Sequence, residues 1–198
     1  MYKLSIVGGT IALLAVMPLA IILSPSISFE NGVIENLQVI LLLGASILSI
    51  RLMFRTSDRA ARSFQQFCAL LFALLAAREL SWGRVFYPID FDADTGAVFV
   101  SMSNYAWRTE AHVFIAVISL AMLYLLIKCV PVRKMLKMPP PIAIIMIIAV
   151  GTALQYVGEH GILIGKFHGQ TLEELSETIV YAMLPILCRY YHDALTRA

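Results

Sequence analysis

Charge is scarce in this chain. Only 14% of its 198 residues are Asp, Glu, Lys or Arg, whereas 60% are hydrophobic. A soluble domain is about a quarter charged, so this composition and the mean hydropathy of +0.81 favour an integral membrane protein. The net charge of +2 and the lack of a basic run exclude an ordinary nucleic-acid-binding protein.

Cysteine pairs and the motifs of common metalloenzymes are also missing. Cys68, Cys129 and Cys188 lie far apart and form no CxxC, so the sequence supports neither a disulfide framework nor a zinc knuckle. No HExxH or ExxH occurs. A metal site would therefore have to be assembled from residues on different helices.

Six apolar segments are long enough to cross a bilayer, which takes about 20 apolar residues per helix. They are residues 4–24, 33–54, 64–82, 109–130, 140–158 and 172–192. The first is too long for a signal-peptide core, so we interpret it as a retained span. The sequence predicts an all-α, polytopic membrane bundle of about six transmembrane helices, forming a single integral membrane domain over residues 1–198.

Lysine and arginine are distributed unequally between the two sides of this bundle. If the N-terminus is inside, the inner side holds Lys3, Arg51, Arg55, Arg59, Arg62, Lys128, Arg133, Lys134, Lys137, Arg189 and Arg197. The outer side holds only Arg78, Arg84, Arg108 and Lys166. The positive-inside rule therefore predicts that both termini are cytoplasmic.

The glutamates follow the opposite distribution. All of them fall on the outer side, at Glu30, Glu35, Glu79, Glu110, Glu159, Glu173, Glu174 and Glu177. Three of the four histidines join them, at His112, His160 and His168. Ionisable groups within a membrane are costly, so their recurrence at one depth on five spans predicts a shared pocket that faces the periplasm.

Glutamate and histidine from several helices are typical ligands of zinc, and carboxylate-rich bundles hold iron or manganese. We therefore expect a divalent metal, with Glu35, His112 and His160 as its ligands. Glu79 and Glu177 are the predicted catalytic carboxylates, one of them a general base. This arrangement predicts a metal-dependent hydrolase that acts on a lipid or lipid-linked substrate.

Three residues near the outer ends of the spans are predicted to bind the substrate. Arg84 and Arg108 would hold an anionic headgroup, and Trp82 would contact it. Interfacial salt bridges and membrane anchoring are the alternative roles of these residues.

Further candidates for the pocket are Glu110, Glu159, His168, Glu174 and Tyr181. Glu174, Glu177 and Tyr181 have the spacing i, i+3 and i+7, which places them on one helix face. Thr171 and Glu174 also match a capping box, so Glu174 is either a helix cap or a ligand.

The segment "DFDADTG", residues 90–96, resembles the start of an EF-hand loop through Asp90, Asp92 and Asp94. Its glycine is one place late and its twelfth position is Ser101 instead of glutamate. We interpret this segment as a solvated acidic loop.

One resemblance to a known family rests on "ELSWGR" at 79–84 and "WRTEAH" at 107–112. The chain resembles an uncharacterised family of bacterial inner-membrane proteins, in which a Glu-x-Ser-Trp-Gly segment ends one span and a Glu/His segment opens the next. The resemblance covers about 35 residues and implies a bacterial inner membrane as the location, with no known activity.

Two other classes of function stay open beside the hydrolase. A proton- or cation-coupled transporter, or an ion-binding membrane protein, would use the same acids to carry ions. A non-catalytic subunit of a membrane complex would use them to bind a partner. The predicted surroundings in every case are the lipid bilayer.

Overall fold

The computed structural model of the chain describes residues 2–92 and 96–197. Its helices are α1 (Lys3–Ile22), α2 (Val33–Arg55), α3 (Arg59–Glu79), α4 (Arg108–Tyr124), α5 (Val132–Met135), α6 (Ile142–Glu159) and α7 (Gly165–Arg197). A π-helical turn, Leu125–Cys129, prolongs α4. By length and composition α1, α2, α3, the prolonged α4 and α6 can each cross a membrane. The prediction of an all-α membrane-type protein is confirmed at this level.

The surface of the helices is strongly apolar, as expected for a chain surrounded by lipid. Leu4, Leu14, Ile22 and Phe54 are among the many large hydrophobic side chains that are mostly exposed. Large exposed apolar surfaces on a soluble monomer are rare. The fold is therefore compatible with an integral membrane protein.

The long helix α7 connects two layers of the core. One apolar cluster joins it to α2 and α3 around the fully buried Leu42 and Phe72. A second cluster joins it to α1 and α6 around Val16, Ile144 and Leu172. Because α7 contributes to both clusters, it fixes the positions of α3 and α6 relative to each other.

The helix α7 begins earlier than the sequence predicts. It starts at Gly165, not near residue 172, so Thr171 lies inside the helix. The Thr171 side chain is fully buried, and its Oγ1 lies 3.0 Å from Oγ of Ser28. The capping-box interpretation of Glu174 was therefore wrong, because a cap must stand at the first turn of a helix.

The helix α3 ends at Glu79, three residues before the end of the predicted span. Ser81, Trp82 and Gly83 have φ angles of 45°, 58° and 92°, which turn the chain out of the helix. Glu79 and Trp82 consequently do not share a helix face. Positive φ is uncommon for residues with a Cβ, so this turn is a marked feature of the "ELSWGR" segment.

A small hairpin lies between α3 and α4. Its strands β1 (Pro88–Asp92) and β2 (Gly96–Phe99) pair antiparallel. The acidic loop predicted from the sequence includes Asp94, which lies outside the described residues.

The residue before α1 contacts the last turns of α7. The Tyr2 hydroxyl donates a hydrogen bond of 2.8 Å to Asp193 Oδ2, and Arg189 lies 2.9 Å from the other oxygen of that carboxylate. Burial and the Asp193 carboxylate raise the pKa of Tyr2 to about 12, so the phenol remains a donor at neutral pH. The start of α1 and the end of α7 therefore lie at the same end of the bundle.

Candidate functional site

The predicted catalytic carboxylates meet where the end of α3 packs against α7. Glu79 is the last residue of α3, while Glu177 and Tyr181 lie one turn apart on α7. The Tyr181 hydroxyl lies 2.7 Å from Glu79 Oε1 and 2.8 Å from Glu177 Oε1. Both carboxylate side chains are buried, at 7% and 6% exposure. Two helices separated by about 100 residues in sequence thus build one hydrogen-bonded group.

One arginine completes this group. Nη1 of Arg78 donates to Glu177 Oε1 at 2.8 Å and to the Tyr181 hydroxyl at 3.0 Å. The same nitrogen is 3.7 Å from Glu79 Oε1, which is an ion-pair distance but not a hydrogen bond. From the sequence, Arg78 is either a membrane anchor or a salt-bridge partner of nearby glutamates, and the structure shows the second contact. Glu177 therefore receives more compensation from the arginine than Glu79 does.

The Tyr181 hydroxyl has one proton for two carboxylates. A phenol can donate only one hydrogen bond, although it can accept two. If Glu79 and Glu177 are both ionised, one of the two short contacts has no proton between its oxygens. A proton on Glu79 lets Glu79 donate to Tyr181 and Tyr181 donate to Glu177. With that proton every short contact in the group has a donor.

A second polar group on α2 and α7 adjoins the first. Gln38 is fully buried in α2, and its amide nitrogen lies 3.0 Å from Glu174 O, 3.1 Å from Glu174 Oε2 and 3.1 Å from Thr178 Oγ1. Gln38 was missed from the sequence, although a glutamine inside an apolar span is itself a signal. It places the Glu174 carboxylate toward the bundle interior.

Glu35 lies at the start of α2, near these acids. Its carboxylate accepts a hydrogen bond from the backbone N–H of Asn31, so part of its role is to hold the turn before α2. Glu35 is also close enough to Glu174, Glu79 and Glu177 to interact with them electrostatically. We refer to Glu35, Glu79, Glu174 and Glu177 as the acid cluster.

Two of the predicted histidines contact backbone oxygens, and the third is exposed. His160 is exposed, and its Nδ1 lies 2.9 Å from the backbone oxygen of Tyr156 in its own helix. His168 Nδ1 lies 3.1 Å from the backbone oxygen of Ala20. His112 is exposed on α4. Within residues 2–92 and 96–197, no three His, Cys, Asp or Glu side chains are grouped so that they could hold a metal ion.

The other predicted acids lie at the surface. Glu110 and Glu159 are exposed, on α4 and at the end of α6. Glu110 also lines a cavity of about 290 Å³ between α3 and α4, together with Trp82 and Trp107. Trp82, predicted from the sequence to bind substrate, therefore lines this cavity.

The predicted headgroup-binding arginines hold the loops that flank the hairpin between α3 and α4. Nη1 of Arg84 donates to the backbone oxygen of Val100 at 3.3 Å, and Nη2 lies 4.0 Å from Glu30. Arg108 donates to the backbone oxygen of Ser103 at 3.4 Å. Their described contacts are therefore structural.

Comparison with known proteins adds no relative. No protein-family model matches the chain, and no curated protein or solved structure matches it. The geometry of the site is thus the basis for inference about function.

Proposed function

We propose that this protein is an integral membrane protein that binds a proton at the acid cluster, with Glu79 as the acceptor. The observation that carries this proposal is the single Tyr181 hydroxyl between two buried carboxylate oxygens, at 2.7 and 2.8 Å. Two carboxylates at such close range repel one another strongly, and a shared proton removes that repulsion. Arg78 donates a hydrogen bond directly to Glu177, and a guanidinium at this distance stabilises a carboxylate charge.

The surroundings of the cluster also favour proton uptake. Four carboxylates lie at the cluster, and within the described part of the chain they are matched by the single guanidinium of Arg78. Burying unpaired charge in a bundle interior costs several kcal/mol per ion. Taking up a proton lowers this cost without requiring any other ligand.

The proton is proposed to exchange with the outer side. Along α2, Leu42 lies between Gln38 and the buried Ser46, and along α3, Phe72 lies between Glu79 and the buried Gln65. Leu42 and Phe72 are both fully buried in one apolar cluster. This apolar layer separates the acid cluster from the polar residues beyond it. An ion-binding protein is therefore favoured over an open path through the membrane.

The topology that we propose has six crossings. The helix α7 is 33 residues long, or about 50 Å at 1.5 Å per residue, which is enough to cross a bilayer. A sixth crossing agrees with the contact between Tyr2 and Asp193, because an even number returns the chain to its starting side. The lysine and arginine distribution then makes that side the cytoplasm. A bacterial inner membrane and the family of the "ELSWGR" segment remain predictions.

The metal-dependent hydrolase remains a second, less supported prediction. Its three proposed ligands are Glu35, His112 and His160. Glu35 belongs to the acid cluster, whereas the two histidines are exposed. A catalytic metal needs about three protein ligands around one point. We therefore place proton binding first.

Infrared spectroscopy of the protein in lipid membranes tests the proposal. When the pH is changed, the carbonyl band of a protonated carboxylic acid should appear and disappear in the unaltered protein. The Glu79→Gln variant should lose most of this band, because an amide cannot take up the proton. Glu110→Gln is the matched control, since Glu110 is exposed near the same end.

An unchanged carboxylic-acid band in Glu79→Gln would contradict the proposal. Proteoliposomes that contain a pH-sensitive dye separate binding from transport. Proton binding at the outer side alone predicts no internal pH change beyond that of protein-free vesicles, whereas a transporter predicts a change that depends on Glu79.

A further inference from the structure

A basic cavity lies at the opposite end of the bundle from the acid cluster. It has a volume of about 620 Å³ and is lined by Arg59 and Arg62 at the start of α3 and by Lys128 at the end of α4. All three cations are exposed. Arg62 uses one of its donors on the backbone oxygen of Thr56, at 3.1 Å, and a guanidinium has five donors. The cavity therefore offers several N–H donors and at least three positive charges to an anion.

An apolar groove continues from this cavity toward the middle of the bundle. The groove has a volume of about 500 Å³ and runs between α2, α3 and α4. Gln66 lines both spaces, so the basic cavity adjoins the groove. Most of the groove wall is apolar, with Leu70 of α3 and Leu125 of α4 among its residues. A molecule that fills both spaces must have an anionic end and a long apolar part.

Small side chains from two helices line the groove and leave room in it. They are Ala69 and Ala73 of α3 and Ala121 of α4. No described residue of α4 is buried, so α4 packs only lightly on the rest of the bundle. The chain then makes a π-helical turn at Leu125–Cys129, where Lys128 reaches the basic cavity. Such π-turns often occur at functional sites.

We propose that this groove binds an anionic phospholipid of the membrane leaflet at the basic end. Its phosphate contacts Arg59, Arg62 and Lys128, and an acyl chain lies along the alanine-lined groove. Basic pockets between transmembrane helices are known to bind anionic headgroups. The arginine guanidinium is well suited to phosphate because it donates two parallel hydrogen bonds.

Charge and shape together select this occupant. A soluble anion would use the cations and leave the apolar groove unfilled. A second copy of the chain that docked its basic end here would bring like charges together, which is unfavourable. A phospholipid satisfies the cations and the groove in one molecule. The site is independent of the acid cluster and does not rest on the proposed function.

The experiment uses the full chain in nanodiscs made of phosphatidylcholine and phosphatidylglycerol. Native mass spectrometry measures the lipids that stay bound after release from the disc. The unaltered protein should retain phosphatidylglycerol in preference to phosphatidylcholine. Neutralising Arg59, Arg62 and Lys128 together to glutamine should reduce this preference by about fivefold for each cation removed, as expected for basic residues at an anionic surface.

A matched control variant removes the same number of positive charges from the same end of the bundle. It combines Arg133→Gln, Lys134→Gln and Lys137→Gln. These residues lie in the connection between α4 and α6 and line neither the basic cavity nor the groove. This control should keep the preference. Equal losses in the two triple variants would overturn the proposal, because only general surface charge would then be acting.

Two further measurements test the acyl-chain and headgroup parts. Ala73→Leu should fill the groove and reduce retention of phosphatidylglycerol while leaving the three cations in place. Excess inorganic phosphate should not displace the lipid. Full retention in Ala73→Leu, or displacement by phosphate, would contradict the groove as the binding site.

Discussion

Tyr181 is the residue on which the acid cluster depends most. Its hydroxyl contacts Glu79, Glu177 and Arg78, each within 3.0 Å, and its ring lies in the buried apolar cluster around Phe72. Tyrosine suits this position because its ring is apolar and its hydroxyl is polar. The residue therefore joins the hydrophobic core to the charged groups at the end of α3.

Removing this hydroxyl should destabilise the protein. In Tyr181→Phe, Glu79 loses its one described short hydrogen bond, and an unsatisfied buried polar group costs about 1–3 kcal/mol. Denaturation in detergent micelles measures the free energy of unfolding. Tyr190→Phe is the control, because the Tyr190 hydroxyl bonds to the backbone of Pro139 at an exposed position. Equal losses in both variants would contradict the central role of Tyr181.

At the scale of elements, two glycines set the closest approach between α6 and the start of α7. A Cβ at Gly158 would lie 2.6 Å from the backbone oxygen of Gly169 and from the backbone nitrogen of Glu173. Backbone atoms cannot move aside as a flexible side chain can. The first turns of α7 can therefore pack this closely on α6 only if position 158 is glycine.

Gly158→Ala should weaken the contact between α6 and α7. Overpacking at a close contact costs about 1–3 kcal/mol, and the loss should appear in the free energy of unfolding in detergent. Gly44→Ala is the matched control, since nothing lies within 4 Å of a Cβ at this helical position. That variant should be neutral or gain about 0.5–1 kcal/mol from its higher helix propensity. A stable Gly158→Ala protein would show that the two helices can separate without cost.

At the scale of the whole molecule, the charges divide by end. The acid cluster lies at one end of α3, and Arg59 and Arg62 lie at the other. The positive-inside rule uses only the lysine and arginine part of this division. In the proposed topology, the proposed proton site and the proposed lipid site lie on opposite sides of the membrane.

Thiol labelling of spheroplasts tests this orientation. In a background with the three native cysteines replaced by alanine, Asp90→Cys places a thiol on the hairpin and Ser57→Cys places one in the α2–α3 connection. Both positions are exposed. A membrane-impermeant maleimide should label Asp90→Cys in spheroplasts and Ser57→Cys only after lysis. The reverse pattern would show that the acid cluster faces the cytoplasm.

For the site residues, the sequence predicts the depth along a span but not the direction of the side chain. Glu79 and Glu177 were grouped by their predicted depth, and the structure does bring them together. His112 and His160 have the same predicted depth, yet they lie at exposed positions. Depth follows from position along a span, whereas the direction of a side chain depends on how each helix is rotated against its neighbours. Gln38 became visible as a partner only through that rotation.

The sequence by itself determined the all-α, strongly apolar class of the fold and most of its helices. Apolar run length and the distribution of lysine and arginine are local properties, and they need no knowledge of packing. Only the tertiary structure decided which ionisable groups meet, because α3 and α7 are brought together by apolar packing between distant segments. The "ELSWGR" segment shows both effects. Its charge predicted the outer end of a span, while the left-handed turn at Ser81 and Trp82 and the neighbours of Glu79 emerged from the fold.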